Sequence, residues 1–240
     1  MFKHTGKSRR LKHNLGIASL LSFVAGIVNV AGFLAVLKLT TNVTGHFAFF
    51  VDEVFKLNFV QSLYYGLYIF FFFLGSFVSN LMVESILRRN EKYVYAIPTI
   101  IESFILIVIA LSGQFLVITY PDILAFILLF AMGLQNSLVT KISNATVRTT
   151  HLTGLFTDLG IELSQLFFYK EKEQRKKLFA SIKLRLMIIH FFFLGGVLAG
   201  VFYSYIQLHV LLIAGGALLA GIVFDGIKMK YLLLKRRMRG

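Results

Sequence analysis

The sequence predicts an all-α, polytopic membrane protein with six transmembrane helices, built as two inverted three-helix repeats that each carry a Thr-Gly broken or re-entrant segment. Three observations predict it. Apolar stretches of spanning length recur along the chain, Lys and Arg are distributed unevenly among the segments that join them, and three motifs appear in the same order in both halves.

Of 240 residues, 57% are hydrophobic and 15% charged, 26 are Phe, and mean hydropathy is +0.77. A soluble domain of this length would not hide that much apolar surface in one core. There is no Cys, which excludes disulfides, thiolate metal sites and thiol nucleophiles. The net charge of +14 lies in runs flanking apolar segments: KHTGKSRRLK at the start, RRNEK at 88–92, KEKEQRKK at 170–177 and LLLKRRMRG at the end. Such runs are topology signals and contacts to the anionic lipids of the bilayer rather than a nucleic-acid footprint.

The elements follow in order. A basic cytoplasmic segment, 1–14, precedes the apolar run 15–37, which is too long for the core of a signal peptide and is read as a retained first span. Spans need roughly 20 apolar residues. The first repeat, 15–113, holds spans at about 15–37, 61–87 and 94–113. The second, 121–229, holds spans at about 121–140, 184–204 and 207–227, with a cytoplasmic basic loop at about 170–182 and a basic tail at 230–240. Pro121 and Asp122 suit a first helical turn, where a missing N–H is harmless and the helix dipole favours an acid.

Orientation comes from the basic residues. Segments 3–12, 88–92, 141–185 and 228–239 carry five, three, nine and six Lys or Arg, against Lys38 and Lys56 alone on the other side. Both termini are therefore expected in the cytoplasm, with the protein in the inner (cell) membrane. The Thr-Gly segments at about 40–58 and 149–169 do not cross; they dip into the membrane and return, or lie along its surface.

The repeats are specific. FVAGIVN at 23–29 matches FAMGLQN at 130–136 in Phe, Gly and Asn. TTNVTGHF at 40–47 matches TTHLTGLF at 149–156, and Glu53 pairs with Glu162. FFFLG at 71–75 recurs at 191–195. Three crossings per copy is an odd number, so the second copy is inverted relative to the first, and Asn29 and Asn136 are partners across a pseudo-two-fold axis in the membrane plane.

Candidate binding groups follow from this. Thr44 and Thr153 are placed as N-caps of helices starting near His46 and Leu155, with Gly45 and Gly154 allowing close approach of a ligand or another backbone. Helix ends near the midplane of inverted-repeat transporters hold ions and polar solutes; the plain alternative is a tight turn at the membrane surface. Glu102 lies within the third span, where an ionisable group needs a reason. Asp158 and Glu162, four residues apart, share a helix face and are candidates for binding a cation or relaying a proton. Asn29, Gln135 and Asn136 are candidates for a solute contact or for interhelical hydrogen bonds. His190, Glu84 and Asp225 read as structural or interfacial. Gly196-x-x-x-Gly200 and Ala217-x-x-x-Gly221 suit close helix packing within or between subunits, as in a homo-oligomer. No HExxH, GxxxxGK[ST], GxSxG or GxGxxG occurs, so neither an enzyme, a cofactor nor a metal is expected.

The stretches GIVNVAGFL from Gly26, NVTGH from Asn42, AMGLQNSLV from Ala131 and TTHLTGLFTDLG from Thr149 resemble the YoaK-like family of bacterial integral membrane proteins of unknown function. The resemblance covers nearly the whole chain and implies a six-helix membrane protein without naming a substrate. Family members typically carry an acid where this chain has Asn29 and an Asn where it has His46, so any ion coupling through that acid is altered here. The leading functional expectation is a small secondary transporter or permease for an unknown small solute, with a non-transporting membrane scaffold or accessory subunit as the alternative.

Overall fold

The computed structural model describes residues 11–88, 94–143 and 145–237. The start of the basic N-terminal segment, residues 89–92 of the RRNEK run with Tyr93, and the last three residues of the basic tail lie outside the described residues. The helices are α1 (Leu11–Val36), α2 (Thr44–Phe55), α3 (Phe59–Leu87), α4 (Ala96–Thr119), α5 (Pro121–Ser143), α6 (Leu152–Gln165), α7 (Lys172–Ile206) and α8 (Leu211–Arg237). A short 3-10 turn, Gln207–Val210, joins α7 to α8. There is no strand among the described residues.

Five stretches are long and apolar enough to cross a membrane: Asn14–Val36, Phe59–Leu87, Ala96–Thr119, Pro121–Ser143 and Lys172–Ile227. The last is 56 residues long and is broken where Gln207 takes a φ of 49°. Rows of exposed side chains, among them Phe70, Phe73 and Phe77 on α3 and Phe104, Leu111 and Phe115 on α4, give these helices an apolar outer surface. The protein is a multi-pass, all-helical membrane protein.

Two expected boundaries move. α4 continues six residues past 113 because FLVIT keeps the helix apolar, and it stops at Tyr120, where Pro121 disfavours helical geometry. The basic stretch expected as a loop at 170–182 is instead helical from Lys172. Lys, Glu, Gln and Arg are good helix formers, and Glu173 pairs with Lys176 one turn on, so the charges extend α7 rather than interrupt it.

α1 and α5 are the central helices; 61% of the apolar window of each is buried, against 22% for α3. α1 packs chiefly on α7, and α5 on α3; α4 packs on α8, while α2 lies on α3 and α6 on α7. The two main pairs share one crossing chemistry. A Cβ on Gly26 would fall 2.0 Å from the Phe192 carbonyl oxygen, and one on Gly195 would fall 2.1 Å from that of Phe23. On the other pair, a Cβ on Gly133 would fall 2.1 Å from the Phe72 oxygen, and one on Gly75 2.1 Å from that of Phe130. The FxxG and FFFLG motifs therefore meet each other, each motif of one half touching its counterpart's partner in the other. Lipid offers no hydrophobic drive between helices, so backbone approach at small residues supplies the packing instead.

Candidate functional site

After α1 the chain turns back along the helix it has just left. Thr40 is buried and its hydroxyl donates to the Val28 carbonyl at 3.1 Å, while Thr41 donates to Asn29 Oδ1 at 2.6 Å. Gly32 makes room, since a Cβ there would lie 2.4 Å from Thr40 Oγ1. The second half does the same. Thr150 donates to Asn136 Oδ1 at 2.9 Å, and buried Thr149 accepts from Gln135 Nε2 at 3.2 Å. Asn29 lies seven residues before the end of α1 at Val36, and Asn136 seven before the end of α5 at Ser143. At a rise of ~1.5 Å per residue, each returning segment reaches about 10 Å back from its helix end.

Gln135 also donates to the Leu21 carbonyl on α1 at 3.0 Å. The two Thr pairs are thus joined to one helix, at Leu21 and Val28, two turns apart. Asn29, Gln135 and Asn136 act as interhelical and loop anchors; Asn136 Nδ2 donates to Met132 O, and its side chain also borders a cavity of about 490 Å³ with Ser76, Asn80, Ser137, Thr140 and Lys141.

Thr44 and Thr153 do not cap their helices. Each is exposed and lies within the first turn; Val43 and His151 hold the cap positions, neither with a side-chain cap bond. The reason is that the helices begin at Thr44 and Leu152, earlier than the apolar pattern suggests. At Gly45 and Gly154 what comes close is neither a ligand nor another backbone but a side chain of the preceding segment, Leu39 and the His151 ring, where a Cβ would come within 2.4 and 2.3 Å.

The second Thr-Gly element opens on a cleft of about 550 Å³ between the 145–153 segment, α6 and α7, lined by Arg148, His151, Thr153, Gly154, Asp158, Ser181 and Arg185 among others. Thr44 and Gly45 do not line it. Asp158 and Glu162 do share a face, and both accept from Arg185: Nη1 to Asp158 at 2.8 Å and Nε to Glu162 at 2.9 Å. Ser181 donates to Glu162 Oε1 at 2.6 Å. The pair therefore latches α6 to α7 above a small apolar contact of Leu159, Leu178 and Ile182. Arg185 was not legible as a partner because it follows Glu162 by 23 residues; the only signal was a basic residue within an otherwise apolar span.

Glu102 is completely buried, and neither carboxyl oxygen has a hydrogen-bond partner. It sits on α4, next to Ser103, whose hydroxyl donates to the Gly215 carbonyl of α8 at 2.8 Å. The cleft and Glu102 are on different helix pairs, so the structure does not gather the predicted acids into one cluster.

A further polar group forms at the opposite end of α1. His46 is buried under α2, and its Nε2–H donates to the Leu39 carbonyl at 2.5 Å. Its ring centre lies 4.7 Å from that of Tyr68, which donates to Asp122, and Lys38 Nζ stands 5.4 Å from the Tyr65 ring. Burial holds the His46 imidazole below its ordinary proton affinity, the Leu39 bond opposes this, and the Lys38 charge adds to it.

A family model described as a protein of unknown function (DUF1275) matches residues 17–224. The UPF0700 transmembrane protein YoaK of Bacillus subtilis (strain 168) is 26% identical over 223 residues, 88% of this chain and 96% of that protein. No solved structure matches.

Proposed function

The chain belongs to the DUF1275 family of proteins of unknown function, and from that premise we propose that it is a small secondary transporter or permease for a small polar solute, without enzymatic activity. Its frame is two inverted three-helix repeats, α1–α4 and α5–α8, crossing the inner membrane six times with both termini cytoplasmic. The 56-residue stretch at its end supports two of those crossings, since at ~1.5 Å per residue it would be about 84 Å long against a hydrocarbon core of ~30 Å.

One observation carries the reading: two returning Thr-Thr segments are bonded to Asn side chains that each lie seven residues before the end of a central helix. Non-helical backbone at membrane depth persists only against protein or a water-filled cavity. Here the Asn29 and Asn136 bonds supply the protein, and the cleft at Thr153 supplies the cavity. In this reading Asn29, Gln135 and Asn136 fix the returning segments. Thr153, Gly154 and Asp158 meet the solute on the cytoplasmic side, and Thr44 and Gly45 take the equivalent place outside. Glu162 positions α6, and Glu102 is the coupling group, because an uncompensated ionisable side chain at that depth is costly enough to require a use.

The absence of Cys makes the test direct. Single Thr44→Cys and Thr153→Cys variants in oriented vesicles should react with a membrane-impermeant maleimide from opposite sides. A solute screen read by thermal shift should find a stabilising compound that protects Thr153→Cys. Labelling of both from one side would overturn the inverted arrangement. A stabilising solute indifferent to Thr153→Val would overturn the site. A scaffold role is the second reading, favoured by the exposure of Thr44 and by the backbone-tight glycine crossings; it expects no protecting solute.

A further inference from the structure

Beside the polar cleft lies an apolar groove of about 430 Å³ between α1, α6 and α7, lined by Val30, Leu152, Phe156, Ile189, Phe192 and Gly196 among others. The two cavities follow one another along a single stripe of α7: Ser181, Leu184 and Arg185 line the cleft, and Ile189, Phe192 and Gly196 line the groove. On α6 they adjoin at consecutive residues, Leu152 in the groove and Thr153 in the cleft. At ~1.5 Å per residue, Phe192 and Gly196 stand about 10 and 16 Å along α7 from Arg185. A ligand filling both would be charged at one end and apolar for the length of an acyl chain.

The charge it would need is negative. Arg148, exposed at the cleft, makes no hydrogen bond or ion pair among the described residues and is its uncompensated charge, while Arg185 is already engaged by both Asp158 and Glu162. Segment 141–185 as a whole carries nine Lys and Arg against four Asp and Glu. We propose that this face holds one anionic phospholipid, its phosphate at Arg148 beside Arg185 and an acyl chain in the groove, with its head in the leaflet next to the basic segments. The headgroup end shares the cleft that the transport reading gives to the solute, but the lipid reading rests on the groove and Arg148 and is tested with no solute present, so the two readings can fail separately.

The chain has no Trp, so a Phe193→Trp variant carries a single indole, excited selectively over the tyrosines, in the groove where Phe193 is 64% exposed. Phe104→Trp, on the exposed face of α4, is the reference. In phosphatidylcholine vesicles, dibrominated phosphatidylglycerol should quench Phe193→Trp at about fivefold lower mole fraction than dibrominated phosphatidylcholine, because both lipids offer a phosphate but only phosphatidylglycerol leaves that charge uncancelled beside Arg148. At Phe104→Trp the two lipids should quench alike. Adding Arg148→Gln to Phe193→Trp should remove the headgroup preference; Arg148 is exposed and unpaired among the described residues, so the melting temperature should stay unchanged. Equal quenching by both lipids at Phe193→Trp overturns the site, as does a preference that survives Arg148→Gln. Displacement of the brominated lipid by inorganic phosphate at comparable concentration also overturns it, because the groove would then contribute nothing.

Discussion

Gly26 faces the carbonyl oxygen of Phe192 so closely that a Cβ would sit 2.0 Å from it, and Gly133 stands in the same relation to Phe72. These contacts are backbone on backbone, so no side chain can yield. Gly26→Ala and Gly133→Ala should each lower stability by about 1–3 kcal/mol or more, the range for overpacking a tight interior. Gly216→Ala in α8 and Gly160→Ala in α6 meet nothing within 4 Å and should instead stabilise by about 0.5–1 kcal/mol through helix propensity. Denaturant melts in detergent micelles check both signs; equal effects at the two classes of glycine would refute the crossing assignment.

The Thr41–Asn29 and Thr150–Asn136 bonds predict a matched pair of modest losses. Thr41→Val and Thr150→Val should each cost about 0.5–1.5 kcal/mol, the net worth of one such bond. The two bonds share no partner, so the double variant should be additive within about 0.5 kcal/mol. Strong coupling between them, measured by the same melts, would mean that the two returning segments touch directly.

Arg185 holds two acids, and Glu162 is only 13% exposed. Arg185→Gln should loosen α6 by leaving that carboxylate without its partner, a loss of about 3 kcal/mol when a pair this buried is broken from one side. Arg185→Gln with Glu162→Gln should recover much of the loss. Hydrogen exchange in α6 reads the effect locally, and a double variant as exchange-prone as the single one would show that the latch is not electrostatic.

His46 gives the protein a pH dependence with a definite sign. Its folded proton affinity is lowered by burial and by Lys38, with Tyr65 and Tyr68 on α3 and Asp122 behind Tyr68 as the other groups around it. The unfolded chain therefore binds the proton more readily. Stability is fully present above the ordinary histidine value of about 6.5 and is lost as pH falls below it. Melting temperature should drop between pH about 7.5 and 5.5 in the parent protein, and His46→Asn should flatten that drop. An unchanged slope would show that His46 stays neutral or charged in both states.

Much of the fold was legible because its signals are local. Spanning length, the Pro121 helix start and the recurrence of Phe, Gly, Asn and Thr-Thr at fixed spacings all lie within short windows, and the structure finds helices at each expected span. The element boundaries that moved did so where two local rules competed, as at Lys172, where charge suggested a loop and helix propensity prevailed. Within the Thr-Gly element the expected N-cap role of Thr44 and Thr153 failed, because the caps fall on Val43 and His151. Sequence pointed to Thr44 and Thr153; the structure adds Thr40, Thr41 and Thr149, which are buried, and half-buried Thr150, all of them hydrogen-bonded.

Taken alone, the sequence determined that the chain lives in a membrane, roughly where its long helices run, and that its two halves carry the same motifs in the same order. Those properties are sums over neighbouring residues, and hydrophobicity and spacing suffice to read them. Only the tertiary structure decided which motif meets which: that FxxG of one half crosses FFFLG of the other, that Arg185 answers Asp158 and Glu162, and that Glu102 is left buried on another helix pair. Such partners are separated by tens to well over a hundred residues, and what brings them together is close backbone packing and paired charge in three dimensions, which no one-dimensional pattern encodes.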